Sequence, residues 1–173
     1  MTRYITGLDD QGRSAVLKKS DPPRVWTWLN SSDAAPHHVT RSLTTYHPGI
    51  PEPQRGFTEE LWTIRTTPEG VTGEDPGDYD YEPGEFSLDT TPPGILRWSV
   101  TRFGPGYASK LHFTDSIDLD MCIEGELTLV LETEELHLKP GDSVMLPRLM
   151  HSWRTETGGA FAYVMLSPNV QLG

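Results

Sequence analysis

The sequence predicts an all-β domain, an antiparallel sandwich or barrel. Three observations carry that expectation. Short runs with every second residue apolar follow one another closely in the C-terminal half. Turn signals separate them: Gly-Pro-Gly at 104–106, Glu-Gly-Glu at 124–126, Pro140-Gly141-Asp142 and Gly158-Gly159. Fifteen prolines and sixteen glycines punctuate the whole length, which leaves little room for long helices.

The elements follow in order. Residues 1–29 read as a hairpin arm, with a turn at Asp10-Gln11-Gly12 between TRYITGLD and SAVLKKSD, and then a strand at Val25-Trp26-Thr27-Trp28-Leu29. His37, His38 and His47 lie among Ser, Thr and Pro in a stretch without a clear pattern, and loop histidines of that kind are expected in solvent. A further strand is predicted at 60–66. Residues 67–94 are rich in Pro, Gly and acidic side chains and read as a long acidic loop, solvated or lying over the mouth of a site. From Gly94 onward strands are predicted at 95–103, 117–123, 126–132, 135–138, 143–146, 151–155 and 161–166. The expected division is thus residues 1–93, an arm with extra strands in the same domain, and residues 94–173, the barrel. A length of 173 residues accords with one core.

Charge narrows the function. Fourteen Lys and Arg stand against twenty-five Asp and Glu, a formal net charge of −11 at pH 7. Such a surface repels phosphate backbones and anionic lipid, so neither nucleic acid nor membrane is an expected partner. The first twenty residues lack the apolar core of a signal peptide and no apolar run is long enough to cross a bilayer, which makes the cytoplasm the expected location. With Cys122 as the single cysteine, no intramolecular disulfide can form, and this thiol reads as a buried structural group.

The chemistry concentrates in residues 111–123, LHFTDSIDLDMCI. Alternation puts His112, Thr114, Ser116, Asp118, Asp120 and Cys122 on one face, small and polar. Ile117, Leu119, Met121 and Ile123 occupy the other, which is expected to pack against another layer. A polar face of this kind, turned into a barrel, builds a wet pocket. Near the end, His151 and Trp153 share a face. His112, His151 and Asp118 together offer two imidazoles and a carboxylate, a set suited to a divalent transition metal with open positions, whether iron, manganese, zinc or nickel. Without a metal, either imidazole serves as general base with Asp118 as its orienting partner. Thr114, Ser116, Asp120, Trp153, Trp98 and Tyr163 are the expected pocket residues. His137, between Leu136 and Leu138 on a hairpin, is expected to face water.

From about Gly106 to Pro168 the sequence resembles the cupin superfamily. Gly106 stands five residues before His112, Thr114 occupies the place of the second His of the first cupin motif, Asp118 that of its Glu and Gly125 that of its closing Gly. Gly141, Pro147 and His151 match the second motif. The His112-x-Thr114-x-Ser116-x-Asp118 pattern looks like a subgroup of small single-barrel cupins. The resemblance implies a jelly-roll barrel, a homodimer whose N-terminal arm covers sheet edges, and a small-molecule substrate. The family implies dehydration, decarboxylation, isomerisation and oxygenation as possible reactions. A lyase, dehydratase or decarboxylase, acting on a hydroxyl- or carbonyl-bearing aromatic or polyketide-like substrate is the leading expectation. A metal-dependent dioxygenase or isomerase and a non-catalytic ligand-binding barrel remain the alternatives.

Overall fold

The computed structural model describes residues 2–22, 24–29, 40–42, 53, 55–67, 70–74 and 91–167. His37, His38 and His47 lie outside them, as do residues 75–90 of the acidic segment. Among the described residues there are strands and no helix: β1 (Arg3–Leu8), β2 (Ser14–Ser20), β3 (Arg24–Leu29), β4 (Thr40–Ser42), β5 (Arg55–Thr67), β6 (Gly70–Glu74), β7 (Ile95–Phe103), β8 (Tyr107–Ala108), β9 (His112–Phe113), β10 (Ile117–Gly125), β11 (Leu127–Leu131), β12 (Glu135–Leu138), β13 (Ser143–Pro147), β14 (Met150–Thr155) and β15 (Gly159–Leu166). Among the described residues no helix is long and apolar enough to cross a membrane. The acidic loop expected from residue 67 is in part a strand, because β6 returns along β5 and pairs with it from Thr63↔Glu74 to Thr67↔Gly70.

Two antiparallel sheets face each other. One runs β13-β10-β15-β7-β5-β3-β4, with β6 on β5; the other runs β12-β11-β14-β8, with β9 on β14. Leu127, Leu129, Phe161, Leu146, Cys122 and Met165 are buried between them, the interior of an all-β jelly-roll barrel. Each of these side chains falls on the inward half of its strand's alternation, so pairing and core formation specify the same register.

Two turns show how the sheets are joined. Gly125 ends β10 at φ 68°, and a Cβ there would run into the Gly158 carbonyl, so the crossing of these two turns admits only glycine. Arg102 on β7 reaches both Glu59 on β5 and Glu124 on β10, pairing a buried carboxylate (2% exposed side chain) with a guanidinium. The hairpin β1–β2 forms a separate two-stranded sheet and is tied to β5 by the Arg3 guanidinium, which donates to the Leu61 carbonyl at 2.9 Å.

The apolar odd face of β10 departs from expectation. Leu119, Met121 and Ile123 are 46%, 48% and 38% exposed, so no other layer of the described residues covers them.

Candidate active site

The stretch that reads as one strand in the sequence is divided between the two sheets. His112 belongs to β9, beside His151 on β14 (His151↔His112), whereas Asp118 and Asp120 belong to β10 in the opposite sheet. A turn through residues 114–116 carries the chain across. The polar side chains still meet, because both strands present them to the interior.

A cavity of about 70 Å³ lies between the sheets and opens to solvent. His112, His151, Asp118, Asp120, Thr114 and Ser109 supply its polar lining. The aromatic lining is stacked in two pairs: Phe103 on Tyr107, centroids 4.1 Å apart, and Trp153 on Phe161 at 4.8 Å. Tyr163 completes the wall; its buried phenol is pushed up by desolvation, against the hydroxyls of Thr101, Thr58 and Ser99 and the charge of Arg97.

The imidazole centroids of His112 and His151 are 4.6 Å apart. Each Nδ1 lies against a carbonyl two residues earlier, Lys110 O at 2.8 Å and Leu149 O at 3.1 Å. A carbonyl only accepts, so Nδ1 carries the hydrogen, and in the neutral rings Nε2 holds the basic lone pair. Strand geometry thereby fixes the tautomer of both residues. Trp153 meets His151 edge-on at 6.4 Å.

Facing them, the two acids are electrically unlike surface carboxylates. Burial raises Asp118 from 3.8 to about 6, against the Ser116 and Thr114 hydroxyls and the His112 charge, which lower it. Ser116 Oγ donates to Asp118 Oδ1 at 2.5 Å. Thr114 Oγ1 is buried without a hydrogen bond of normal length among the described residues, yet lies near enough to Asp118 to favour its charged form. Asp120 is held well above its ordinary value, first by desolvation and then by the neighbouring Asp118. Burial thus favours the neutral acid at this corner of the pocket.

These donors do not fit a divalent ion. Among the described residues, no three His, Cys, Asp or Glu side chains converge on a common point that an ion could occupy. Asp118 accepts from Ser116, and the place of a third imidazole is taken by Thr114. The tripod of His112, Asp118 and His151 expected from the sequence thus becomes a histidine pair on one sheet and an acid pair on the other.

Of the expected pocket residues, Thr114, Asp120, Trp153 and Tyr163 line the cavity, and Ser116 is buried behind it, positioning Asp118. Trp98 does not line it. It is 50% exposed on the outer face of β7, beside the hairpin arm. The strand turns Ile95, Arg97, Ser99, Thr101 and Phe103 inward, which sends Trp98 out. Thr101, Phe103, Tyr107, Ser109, Phe161 and Met165 are lining residues missed in the sequence. Phe161 was within reach, since it is two residues before Tyr163 on one strand. His137 is exposed and its Nδ1 contacts the Thr128 hydroxyl, while Cys122 is buried and burial raises its thiol.

Residues 106–166 match the profile of the cupin domain of mannose-6-phosphate isomerase. That segment is therefore similar to a cupin domain. Along 98% of its length the chain is 28% identical to a cupin-domain-containing oxidoreductase, fogC, of Aspergillus ruber, covering 73% of that protein. Over 81 residues it is 38% identical to the phomopsin biosynthesis cluster protein D of Diaporthe leptostromiformis, 43% of each chain. Among solved structures, an RmlC-like cupin from Shewanella frigidimarina is 17% identical, with a TM-score of 0.42 over 64% of this chain and 74% of that one. The matched segment runs from the start of the β8 turn to the end of β15, and so contains both histidines and both acids.

Proposed function

We propose that this chain is a small-molecule enzyme of the cupin type, a lyase that removes water or carbon dioxide from a hydroxyl- or carbonyl-bearing aromatic or polyketide-like substrate. One observation carries the reading: a pair of imidazoles with basic Nε2 atoms shares a cavity with Asp120, a carboxyl whose burial beside Asp118 favours the neutral acid. Base and acid held apart across one small pocket are the requirement for an elimination. In a dehydration, Nε2 of His112 or His151 takes the proton from the carbon next to the substrate carbonyl. The electron pair of that C–H bond becomes the new C=C bond, the C–O bond at the neighbouring carbon breaks, and the Asp120 carboxyl delivers its proton to the departing hydroxide, which leaves as water. The proton on the imidazole then returns to Asp120 through solvent or product, restoring both groups.

The lining also favours a substrate class. Stacked aromatic pairs suit a flat ring, and no Lys or Arg lines the cavity among the described residues. A phosphate dianion would meet two carboxyl groups and no Lys or Arg, so the substrate is read as one that carries no phosphate. A second reading is oxidation of a similar substrate, favoured by the similarity to the Aspergillus ruber oxidoreductase.

The test is turnover of a panel of aromatic β-hydroxy ketones and hydroxy acids, followed by absorbance and mass, with oxygen uptake recorded in parallel. A product lighter by one water or one carbon dioxide, formed without oxygen uptake and lost in His151→Ala and Asp120→Asn, is the expected result. Product formed with stoichiometric oxygen consumption would replace the lyase by the oxidoreductase. Tight binding with no product from any member would leave a ligand-binding barrel.

A further inference from the structure

A second cavity, of about 580 Å³, lies outside the barrel, between the β1–β2 hairpin and the outer face of the larger sheet. That volume falls within the range of small-molecule sites, about 300–1,000 Å³. Its floor comes from an irregularity in β5. Thr58 and Glu60 stand opposite Thr101 and Ser99 on the inner face, and unbroken alternation would send Trp62 inward after them. A bulge between Glu60 and Trp62 reverses the parity and sets Trp62 outside, directly opposite Trp98 of β7. Two indoles thus stand side by side on the outer face. β6 backs one of them: a Cβ at Gly73 would come within 2.8 Å of the Trp62 ring, so glycine lets the indole rest on that strand.

The roof is the arm. β1 turns Arg3 and Ile5 toward the sheet and leaves Tyr4, Thr6 and Leu8 exposed. The Arg3 guanidinium donates to the Leu61 carbonyl at 2.9 Å and to Ser20 Oγ at 3.1 Å, which pins the hairpin at one end. Beyond that pin the hairpin stands off the sheet, for Trp98 is still 50% exposed. A packed interface would have covered the indole pair with side chains. Here a space is left over them instead.

Charge narrows what fits the space. Arg3 lines the cavity, and no Asp or Glu does so among the described residues. Residues 1–20 carry four basic and two acidic side chains, whereas the remainder carries ten basic and twenty-three acidic ones. The arm is a cationic cover on an acidic chain, so this cavity favours an anion where the barrel cavity, with its two carboxyl groups, opposes one. Neighbouring indoles favour a flat ring.

We propose that this cavity is a second binding site, for a small flat aromatic carboxylate whose ring lies against Trp62 and Trp98 and whose charge sits at the Arg3 end. The site is separate from the barrel cavity and does not depend on the reaction performed there.

Calorimetric titration of the full chain with 2-naphthoate tests this. Wild type should bind one molecule per chain. Trp98→Ala should weaken binding roughly tenfold and keep the wild-type circular dichroism, since a half-exposed indole supports no core. Thr6→Glu, which adds a carboxylate to the lining, should weaken binding about fivefold, whereas Thr6→Gln should not. Trp153→Ala, inside the barrel, should leave naphthoate binding unchanged. Absence of saturable binding to wild type at millimolar naphthoate overturns the proposal. Binding lost in Trp153→Ala and kept in Trp98→Ala would place the molecule in the barrel and equally overturn it. Equal effects of Thr6→Glu and Thr6→Gln would overturn the assignment of an anion. Should Trp98→Ala fail to fold, the two Thr6 variants decide.

Discussion

Replacing Asp118 with Asn should remove activity and yet raise stability at alkaline pH. Burial lifts this group from 3.8 to about 6, roughly two units, and at 1.36 kcal/mol per unit the charged form costs the fold about 3 kcal/mol. The sign follows from linkage. The folded chain holds the proton more tightly than the unfolded chain, so the stability it contributes is complete below 3.8 and is lost as the pH rises to about 6. Asn has no charge to lose. Its Oδ1 still accepts from Ser116, but the carboxylate's favourable interaction with Thr114 is altered, a loss of about 1 kcal/mol. At pH 8 the variant should therefore be the more stable by about 2 kcal/mol, which corresponds to roughly 4–8 °C in Tm for a domain of this size. Near pH 4 the gap should close. Thermal melts followed by circular dichroism at the two pH values measure it directly. A variant less stable than wild type at pH 8, or a gap of the same size at both pH values, would refute the assignment of a desolvated carboxyl.

Other outcomes follow from the same geometry. Arg102→Met should destabilise the chain by about 3 kcal/mol in chemical denaturation, because Glu59 is left buried without its cation. Leu129→Ala, at a position 1% exposed between the sheets, should cost about 3 kcal/mol in the same assay. Gly125→Ala should cost more than either and reduce the soluble yield, since both its positive φ and the Gly158 carbonyl oppose a side chain. By calorimetry, inorganic phosphate and phosphorylated sugars should show no binding in the pocket, whereas a neutral phenolic ketone should bind and lose affinity roughly tenfold in Trp153→Ala.

Much of the barrel was legible because pairing and alternation agree there. The expected strands 95–103 and 135–138 coincide with β7 and β12, and the even positions of β10 do turn inward. Three features were not legible, each for a physical reason. Trp98 was placed inside, but alternation along β7 turns Arg97, Ser99 and Thr101 inward and leaves the indole on the outer face, although indole is mostly apolar. Leu119 and Met121 were expected beneath another layer. The face is apolar as read, but a single chain leaves it open, and sequence pattern reports that a surface is to be covered without reporting by what. His112 was read on one strand with Asp118, since a turn at 114–116 carries neither Gly nor Pro to announce it. Parity survived the turn by landing on the facing sheet, so His112 and Asp118 line one cavity from opposite sheets.

The placement of base and acid on opposite sheets has a consequence for how this pocket responds to change. The distance from imidazole to carboxyl is set by the gap between the layers, and the stacked pairs Phe103–Tyr107 and Trp153–Phe161 stand in that gap as spacers. The sandwich works as a caliper whose jaws carry the reacting groups. Thinning a spacer, as in Phe161→Leu, touches neither histidine nor aspartate, yet it lets the jaws close and readmits a different length of substrate.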